Sequence, residues 1–257
     1  MKTKILNLKK FKSKKKIICL TAYSKPFAKI LDNYCDIILI GDSMATAFYG
    51  MENTSNLSIE TMINHGTSVK KGSKKSIIVF DMPINSYRNI NEAKRNVRKV
   101  LNKVRCDAIK IESNGRNFNI INSLVKLNIP VMGHIGYTPQ FKKKFKVQGL
   151  IKKEEDKLIE ESLKIQSAGA FSIVLECISQ RTAKKITETL KIPTIGIGSS
   201  RYCDGQILVT DDLLGLSGFK PKFVKKYINI QEVIKKAIKR FSDDVRKNKF
   251  PLKEHTF

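Results

Sequence analysis

The sequence predicts an α/β fold, built as a single (β/α)8 TIM barrel. Its 257 residues match the size of such a barrel, which needs about 250. Short apolar and β-branched runs alternate with segments of helical periodicity, and eight such runs occur. The spacing is about 32 residues per unit, close to the roughly 30 of a βα repeat. Near-continuous apolar runs are typical of parallel strands that are buried on both faces.

The predicted elements can be placed along the chain. Strands are predicted at residues 17–20, 37–40, 77–80, 108–111, 130–132, 172–175, 194–197 and 207–209. Amphipathic helices are predicted at 92–104, 154–168, 182–190 and 231–246. An open doubly wound sheet is disfavoured because no GxGxxG follows the first strand. We expect one domain over residues 1–257, with a short basic N-terminal segment, a C-terminal helix and a tail at 250–257.

Composition narrows the class of protein. The N-terminus lacks the apolar run of a signal peptide, and no stretch approaches 18 apolar residues. We therefore predict a cytoplasmic protein. The five cysteines form no CxxC pair, which argues against disulfides and a zinc site.

The net charge of the chain suggests a different class of protein. The chain has 49 basic and 23 acidic residues, a net charge of +26, so a basic nucleic-acid-binding protein with the barrel as scaffold has to be considered. Most of the basic residues are lysines dispersed along the chain, whereas arginine is the better reader of phosphate and guanine. We interpret the charge as a solvated basic surface, with no specific nucleic acid and no membrane as partner.

The ends of five predicted strands carry polar residues. They are Asp42 and Ser43, Asp81, Lys110 and Glu112, His134, and Glu176. A single Asp after a strand is usually a cap or turn residue. In a barrel, however, all strand ends open towards one mouth, where barrel enzymes have their active sites. The set together therefore predicts an active site.

Three of these residues suit a metal. Asp42, Asp81 and Glu112 are carboxylates without a neighbouring cysteine, as a hard cation such as Mg²⁺, or alternatively Mn²⁺, prefers. Lys110 shares a strand face with Glu112 and would meet the negative charge of a bound acid. Glu176, nearly across the barrel, is placed to act as a base. His134 is either a substrate contact or a hydrogen-bonded core histidine.

A family resemblance adds to this interpretation. It is carried by TAY at 21–23, GDS at 41–43, DMP at 81–83, KIE at 110–112, GHIGYTPQ at 133–140, VQG at 147–149, LEC at 175–177, IPTIGIG at 192–198, DGQILV at 204–209, PKF at 221–223 and EHTF at 254–257. In order and spacing these motifs resemble the ketopantoate hydroxymethyltransferase family over almost the whole chain. The chain departs from the family pattern at Ser24, at Ser199 and Ser200, and in a shorter, basic loop at 141–146.

The resemblance implies a TIM barrel of the phosphoenolpyruvate/pyruvate superfamily and a homo-oligomer, a decamer built from pentameric rings. It also implies roles for the strand-end residues. The metal would be bound by Asp42, Asp81 and Glu112, the keto acid by Asp42, Ser43, Asp81, Lys110 and His134, and the base would be Glu176.

The implied reaction transfers a hydroxymethyl group from 5,10-methylenetetrahydrofolate to 3-methyl-2-oxobutanoate. The product is ketopantoate, for pantothenate and coenzyme A synthesis, and the step is a Mg²⁺-assisted enolate condensation. The alternative within the superfamily is a phosphoenolpyruvate mutase or an isocitrate lyase type of enzyme. Those relatives usually carry a KKCGH-like motif, which is absent from this sequence.

Overall fold

A computed structural model describes residues 2–142 and 144–257. Eight parallel strands pair in chain order, and the last pairs with the first to close a barrel, which confirms the predicted fold class. The strands are β1 Ile17–Thr21, β2 Ile37–Ile40, β3 Ile77–Asp81, β4 Ala108–Glu112, β5 Val131–Gly136, β6 Ser172–Glu176, β7 Thr194–Ile197 and β8 Gly205–Leu208. Residue 143, within the predicted loop at 141–146, lies outside the described residues.

Helices alternate with the strands. They are α1 Lys2–Lys9, α2 Lys25–Leu31, α3 Met44–Ala47, α4 Ile59–Gly72, α5 Ile90–Val104, α6 Phe118–Val125, α7 Lys152–Ser167, α8 Gln180–Thr189, α9 Thr210–Leu214 and α10 Ile230–Arg246, followed by a 3-10 turn at Lys253–His255. The four predicted helices form, but each begins one or two residues earlier than predicted. Capping explains two of these starts: the side chains of Asn89 and Ser179 accept hydrogen bonds from the backbone N–H groups of Glu92 and Thr182.

Two strands, β5 and β8, differ from their predicted bounds by more than one residue at an end. β5 continues to Gly136, so His134 lies within the strand instead of after it. β8 begins at Gly205, where an added Cβ would lie 2.5 Å from the carbonyl oxygen of Ile17. Glycine is therefore required there for the close approach of β8 to β1.

The strands bury both faces. Alternate residues such as Ile37 and Leu39 fill the barrel interior, whereas Ile38 and Ile40 face the surrounding helices. The N-terminal segment, predicted only as basic, forms α1 and adds Ile5 to the interior cluster. The sequence therefore specifies a core with two layers.

The chain divides into two compact units, one ending at Val209 and one covering Thr210–Phe257. The second unit contains α9 and α10, and α10 has no buried residue. The expectation of a single domain over the whole chain stays a prediction. Among the described residues, no helix combines the length and apolar character that a membrane crossing requires.

The turn between α4 and β3 depends on one buried carboxylate. Asp32 accepts hydrogen bonds from the Ser73 hydroxyl at 2.6 Å and from three backbone N–H groups, those of residues 74–76, at 2.8 to 3.1 Å. Burial opposes the charged form, but these hydrogen bonds outweigh it and hold the pKa of Asp32 below its ordinary value. The carboxylate thus contributes stability only while it is ionised.

Asp32→Asn is therefore expected to lower the free energy of unfolding by about 2 to 3 kcal/mol at pH 7, since hydrogen bonds to a charged acceptor are lost. Because the folded pKa lies below the unfolded value of about 3.9, the contribution is present above that pH. It is lost as the pH falls from there through the folded pKa. Urea unfolding of both proteins at pH 7 and pH 3 measures this. A difference that stays constant between the two pH values would contradict it.

Candidate active site

The interior of the barrel changes from apolar to charged towards the carboxyl ends of the strands. On β3 the next residue on the same face after Val79 is Asp81. On β4, Ala108 is followed on its face by Lys110 and then Glu112. Strand register sets the neighbours: Asp81 is paired with Lys110, Glu112 with His134, and Gly136 with Glu176. The two-residue period and the parallel register therefore bring the predicted strand-end residues together at one mouth.

Lys110 lies between two carboxylates. Its Nζ is 2.6 Å from Asp81 Oδ2 and 3.9 Å from Glu112 Oε1, and the residue is only 4% exposed. Burial raises the pKa of Asp81 to about 7; the Lys110 charge opposes this and the charge of Asp42 adds to it. The other carboxylate oxygen, Asp81 Oδ1, is buried and has no hydrogen-bond partner among the described residues.

Asp42 follows β2 and is buried beside this pair. Its Oδ2 accepts a hydrogen bond of 2.8 Å from Gln140 Nε2. Burial and the Glu112 charge raise its pKa. Ser43 comes next in the chain, and its hydroxyl is 2.9 Å from the Tyr23 hydroxyl. The structure therefore places Asp42, Asp81 and Glu112 in one buried, mutually repelling group, with Ser43 beside them.

His134 lies between two glutamates. Its Nδ1 is 3.3 Å from Glu112 Oε1 and its Nε2 is 3.2 Å from Glu176 Oε2, without the alignment of a hydrogen bond at either nitrogen. Burial and Lys110 act against the imidazolium, but Glu112 and Glu176 outweigh them and raise the pKa of His134 to about 9. The ring is therefore buried between two carboxylates that favour its cationic form, and its role as a substrate contact stays a prediction.

Glu176 is the most accessible of these acids, with 16% of its side chain exposed. Its backbone is held closely by the end of β5: the N–H of Tyr137 donates to the Glu176 carbonyl at 2.8 Å. Gly136 adopts a φ of +97°, and an added Cβ there would lie 2.1 Å from the same carbonyl oxygen. Only glycine permits this approach, which fixes the backbone from which the Glu176 side chain extends.

The donor set fits a hard divalent cation. Buried carboxylates on Asp42, Asp81 and Glu112 carry more negative charge than Lys110 balances, and Asp81 Oδ1 lacks a partner among the described residues. Carboxylate oxygens are the ligands that Mg²⁺ prefers. Within residues 2–142 and 144–257, however, no three acidic, histidine or cysteine side chains are gathered as a preformed metal cage. The Lys110 ammonium group lies between two of the three carboxylates.

Sequence reasoning missed two residues of this mouth, Gln140 and Tyr87. The phenolic hydroxyl of Tyr87 donates a short hydrogen bond to Gln140 Oε1. Burial, followed by the charges of Glu112, Asp81 and Asp42, raises the pKa of Tyr87 well above its ordinary value. Neither residue follows a strand directly, so strand-end position gave no signal. Gln140 closes the GHIGYTPQ motif, which was the only available indication.

A closed parallel barrel with a buried charged group at the carboxyl ends of its strands defines an enzyme of the TIM-barrel class. Residues 2–253 match the family model described as ketopantoate hydroxymethyltransferase. The 3-methyl-2-oxobutanoate hydroxymethyltransferase of Pelagibacter ubique is 49% identical over 100% of both chains. That of Thermotoga maritima is 46% identical over 97% of this chain and 94% of its own. The chain belongs to the ketopantoate hydroxymethyltransferase family and is a hydroxymethyltransferase.

Solved structures share the fold at low identity. The phosphoenolpyruvate phosphomutase of Streptomyces platensis subsp. rosaceus superposes with a TM-score of 0.65 at 12% identity, over 96% of this chain and 88% of that one. A 2,3-dimethylmalate lyase of the PEP mutase/isocitrate lyase superfamily gives 0.63 at 12% identity, over 98% and 91%. These likenesses confirm the barrel fold, and the predicted superfamily relation stays a prediction.

Proposed function

We propose that the protein transfers a hydroxymethyl group from 5,10-methylenetetrahydrofolate to 3-methyl-2-oxobutanoate, giving ketopantoate. The observation that carries the proposal is the register-paired group of Asp81, Lys110, Glu112 and His134, with Glu176 beside it. It combines cation-binding carboxylates, a fixed positive charge and an accessible base. The names of the full-length relatives support the same keto acid.

The metal is proposed to be Mg²⁺, with Mn²⁺ as a substitute, held by Asp42, Asp81 and Glu112. When bound, the ion would supply Lewis-acid stabilisation of negative charge on the substrate oxygen. The support is the excess of buried negative charge and the unpartnered Asp81 Oδ1. Asp81 and Glu112 end β3 and β4, and Asp42 follows β2, so one end of the barrel carries all three carboxylates.

Lys110 and Ser43 are proposed to hold the acid. Lys110 is a buried cation whose pKa is raised by Asp81 and Glu112 against the effect of burial, so it stays charged and can attract a carboxylate. The Ser43 hydroxyl, oriented by Tyr23 at 2.9 Å, is a donor of the right type for a second oxygen. Together they would fix the substrate with C3 towards the far side of the mouth.

Glu176 is proposed to remove the C3 proton. Its carboxylate is on β6, away from Asp81 on β3, and is partly accessible. His134 Nε2 lies 3.2 Å from Glu176 Oε2 and would attract that oxygen by its charge, while the other oxygen takes the proton. In the overall transfer, the carbanion at C3 forms the new C–C bond to the methylene carbon, both C–N bonds of that carbon break, and one water molecule supplies the hydroxyl oxygen. The two folate nitrogens take up the C3 proton and one proton of the water. The enolate thus lies between a fixed cation and its base.

The test is direct. Purified protein, 3-methyl-2-oxobutanoate, methylenetetrahydrofolate and Mg²⁺ are expected to give ketopantoate, detected by mass spectrometry with a ¹³C-labelled one-carbon unit. Phosphoenolpyruvate in place of the keto acid is the matched control. Turnover of phosphoenolpyruvate without formation of ketopantoate would instead identify a mutase-like enzyme and overturn the proposal.

Further features of the proposal follow from the family resemblance. These are a role in pantothenate and coenzyme A synthesis, a cytoplasmic location and a homo-oligomer, a decamer in the family pattern. The apolar residues exposed along α10, Val233, Ile234, Ile238 and Phe241, support an oligomer because such a stripe is costly in water.

A further inference from the structure

Gln140 connects three strand ends at the mouth. It is 5% exposed. Its Nε2 donates to Asp42 Oδ2 at 2.8 Å and to the Met82 carbonyl at 3.0 Å. Its backbone N–H donates to Glu112 Oε2 at 3.1 Å. One residue therefore restrains one oxygen of each of two carboxylates that lie 70 positions apart in the sequence.

The orientation of the Gln140 amide is determined by its neighbours. On one side lie two acceptors, Asp42 Oδ2 and the Met82 carbonyl, and on the other lies the Tyr87 hydroxyl, which donates to Oε1. Turning the amide over would direct Oε1 at Asp42 Oδ2 and the Met82 carbonyl oxygen. These three atoms are all acceptors, so none of them would have a donor at that side. The two acceptors thus select the arrangement in which the amide donates to Asp42, and the Tyr87 hydroxyl supports it by donating to Oε1.

The hydrogen bonds of Gln140 occupy one oxygen of each of the two carboxylates, Asp42 Oδ2 and Glu112 Oε2. Asp81 Oδ1, beside them, has no partner among the described residues. Without the two donors, Asp42 and Glu112 would be free to rotate away from each other, since Glu112 raises the cost of charging Asp42. Holding them together in advance lowers the cost of binding a cation.

We propose that Gln140 is a positioning residue for the metal site, and that Tyr87 supports its amide through the hydrogen bond to Oε1. The inference rests on the proposed metal role of Asp42, Asp81 and Glu112. Gln140 touches neither substrate nor reacting atoms in this account. It acts through the two carboxylates that it holds.

The test measures Mn²⁺ binding by isothermal titration calorimetry, before any assay of activity. Gln140→Met keeps the length of the side chain and removes both amide contacts, and it is expected to weaken Mn²⁺ binding about 10- to 100-fold, the usual effect of removing a group that orients a metal ligand. Tyr87→Phe keeps the ring and is expected to weaken binding about 2- to 10-fold, since one neutral hydrogen bond is lost. In both variants excess Mg²⁺ should restore most of kcat.

A control separates positioning from general destabilisation. Gln166 Oε1 accepts hydrogen bonds from the backbone N–H groups of Lys191 and Ile192 near the end of α7. Gln166→Met should lower the melting temperature and leave Mn²⁺ affinity within twofold of wild type. If Gln140→Met does not fold, the Mn²⁺ affinity of Tyr87→Phe alone decides whether the positioning role holds.

The outcomes are distinct. Wild-type affinity in folded Gln140→Met and Tyr87→Phe proteins would overturn the positioning role while leaving the metal site intact. Absence of Mn²⁺ binding by the wild-type protein would instead overturn the metal site itself, and the positioning role with it. Weakened binding in both variants, with the Gln166→Met control unchanged, supports the inference.

Discussion

Glu176→Gln is expected to lower the rate of C3 proton exchange and of condensation by roughly 10²- to 10⁴-fold, the usual contribution of a general base. The C–H bond next to a ketone is a very weak acid, so it ionises only when a base and charge stabilisation act on one bound molecule. Glutamine keeps the shape of the side chain and removes its basicity. Exchange of the C3 proton of 3-methyl-2-oxobutanoate for deuterium, followed by NMR in the presence of Mg²⁺ without folate, measures the effect.

Binding of the keto acid should survive in this variant, because Asp42, Asp81 and Lys110 are unchanged. Glu188→Gln is the matched control, since Glu188 lies near the end of α8 and forms an ion pair with the exposed Lys184. It should exchange the proton at the wild-type rate. A Glu176→Gln protein that binds the acid and exchanges as fast as wild type would show that another group, such as His134, is the base.

The barrel could be predicted from sequence because its signals are local and repeated. Apolar runs such as 37–40 occur eight times between segments of helical periodicity, and this repeat predicts strands that alternate with helices. The convergence of Asp81 and Glu112 could be predicted too, because parallel strand ends share one edge. These arguments need periodicity and topology alone.

Other features depend on contacts that no local pattern encodes. Gln140 lies beyond β5 in a connecting segment, and its contact with Asp42 joins residues 98 positions apart. Gly205 lay outside the predicted strand at 207–209, although the absence of its side chain is what lets β8 pair with β1. The pairing of Lys110 with Asp81 depends on the register between β3 and β4. The sequence alone does not determine that register.

The fold alone does not separate this chain from its structural neighbours. A phosphomutase and a lyase share the barrel at TM-scores of 0.65 and 0.63 with 12% identity, so the same scaffold carries different reactions. The distinction must come from the mouth. The proposed metal dependence of its three carboxylates, Asp42, Asp81 and Glu112, can be tested directly.

Removing divalent cations is expected to abolish activity, and adding Mg²⁺ should restore it. The reason is electrostatic: Asp42, Asp81 and Glu112 carry more formal negative charge than Lys110 and His134 balance, and a divalent ion held there would supply Lewis-acid stabilisation of an enolate oxygen. Activity is measured as ketopantoate formed in excess EDTA and after addition of Mg²⁺. The loss of ketopantoate formation in excess EDTA should equal or exceed the loss caused by Glu176→Gln.

Asp81→Asn tests the same site by changing one of its proposed metal ligands instead of removing the metal. Asparagine keeps the shape of the side chain but removes a buried charge that contacts Lys110 at 2.6 Å, so Mn²⁺ affinity is expected to fall by at least about 10-fold. Asp107→Asn is the control: Asp107 precedes β4, and its carboxylate accepts a hydrogen bond of 3.0 Å from the backbone N–H of Ile78. That variant should lose stability and keep its metal affinity. Full turnover by the wild-type protein in excess chelator, or unchanged Mn²⁺ affinity in Asp81→Asn, would exclude the proposed metal role of these carboxylates.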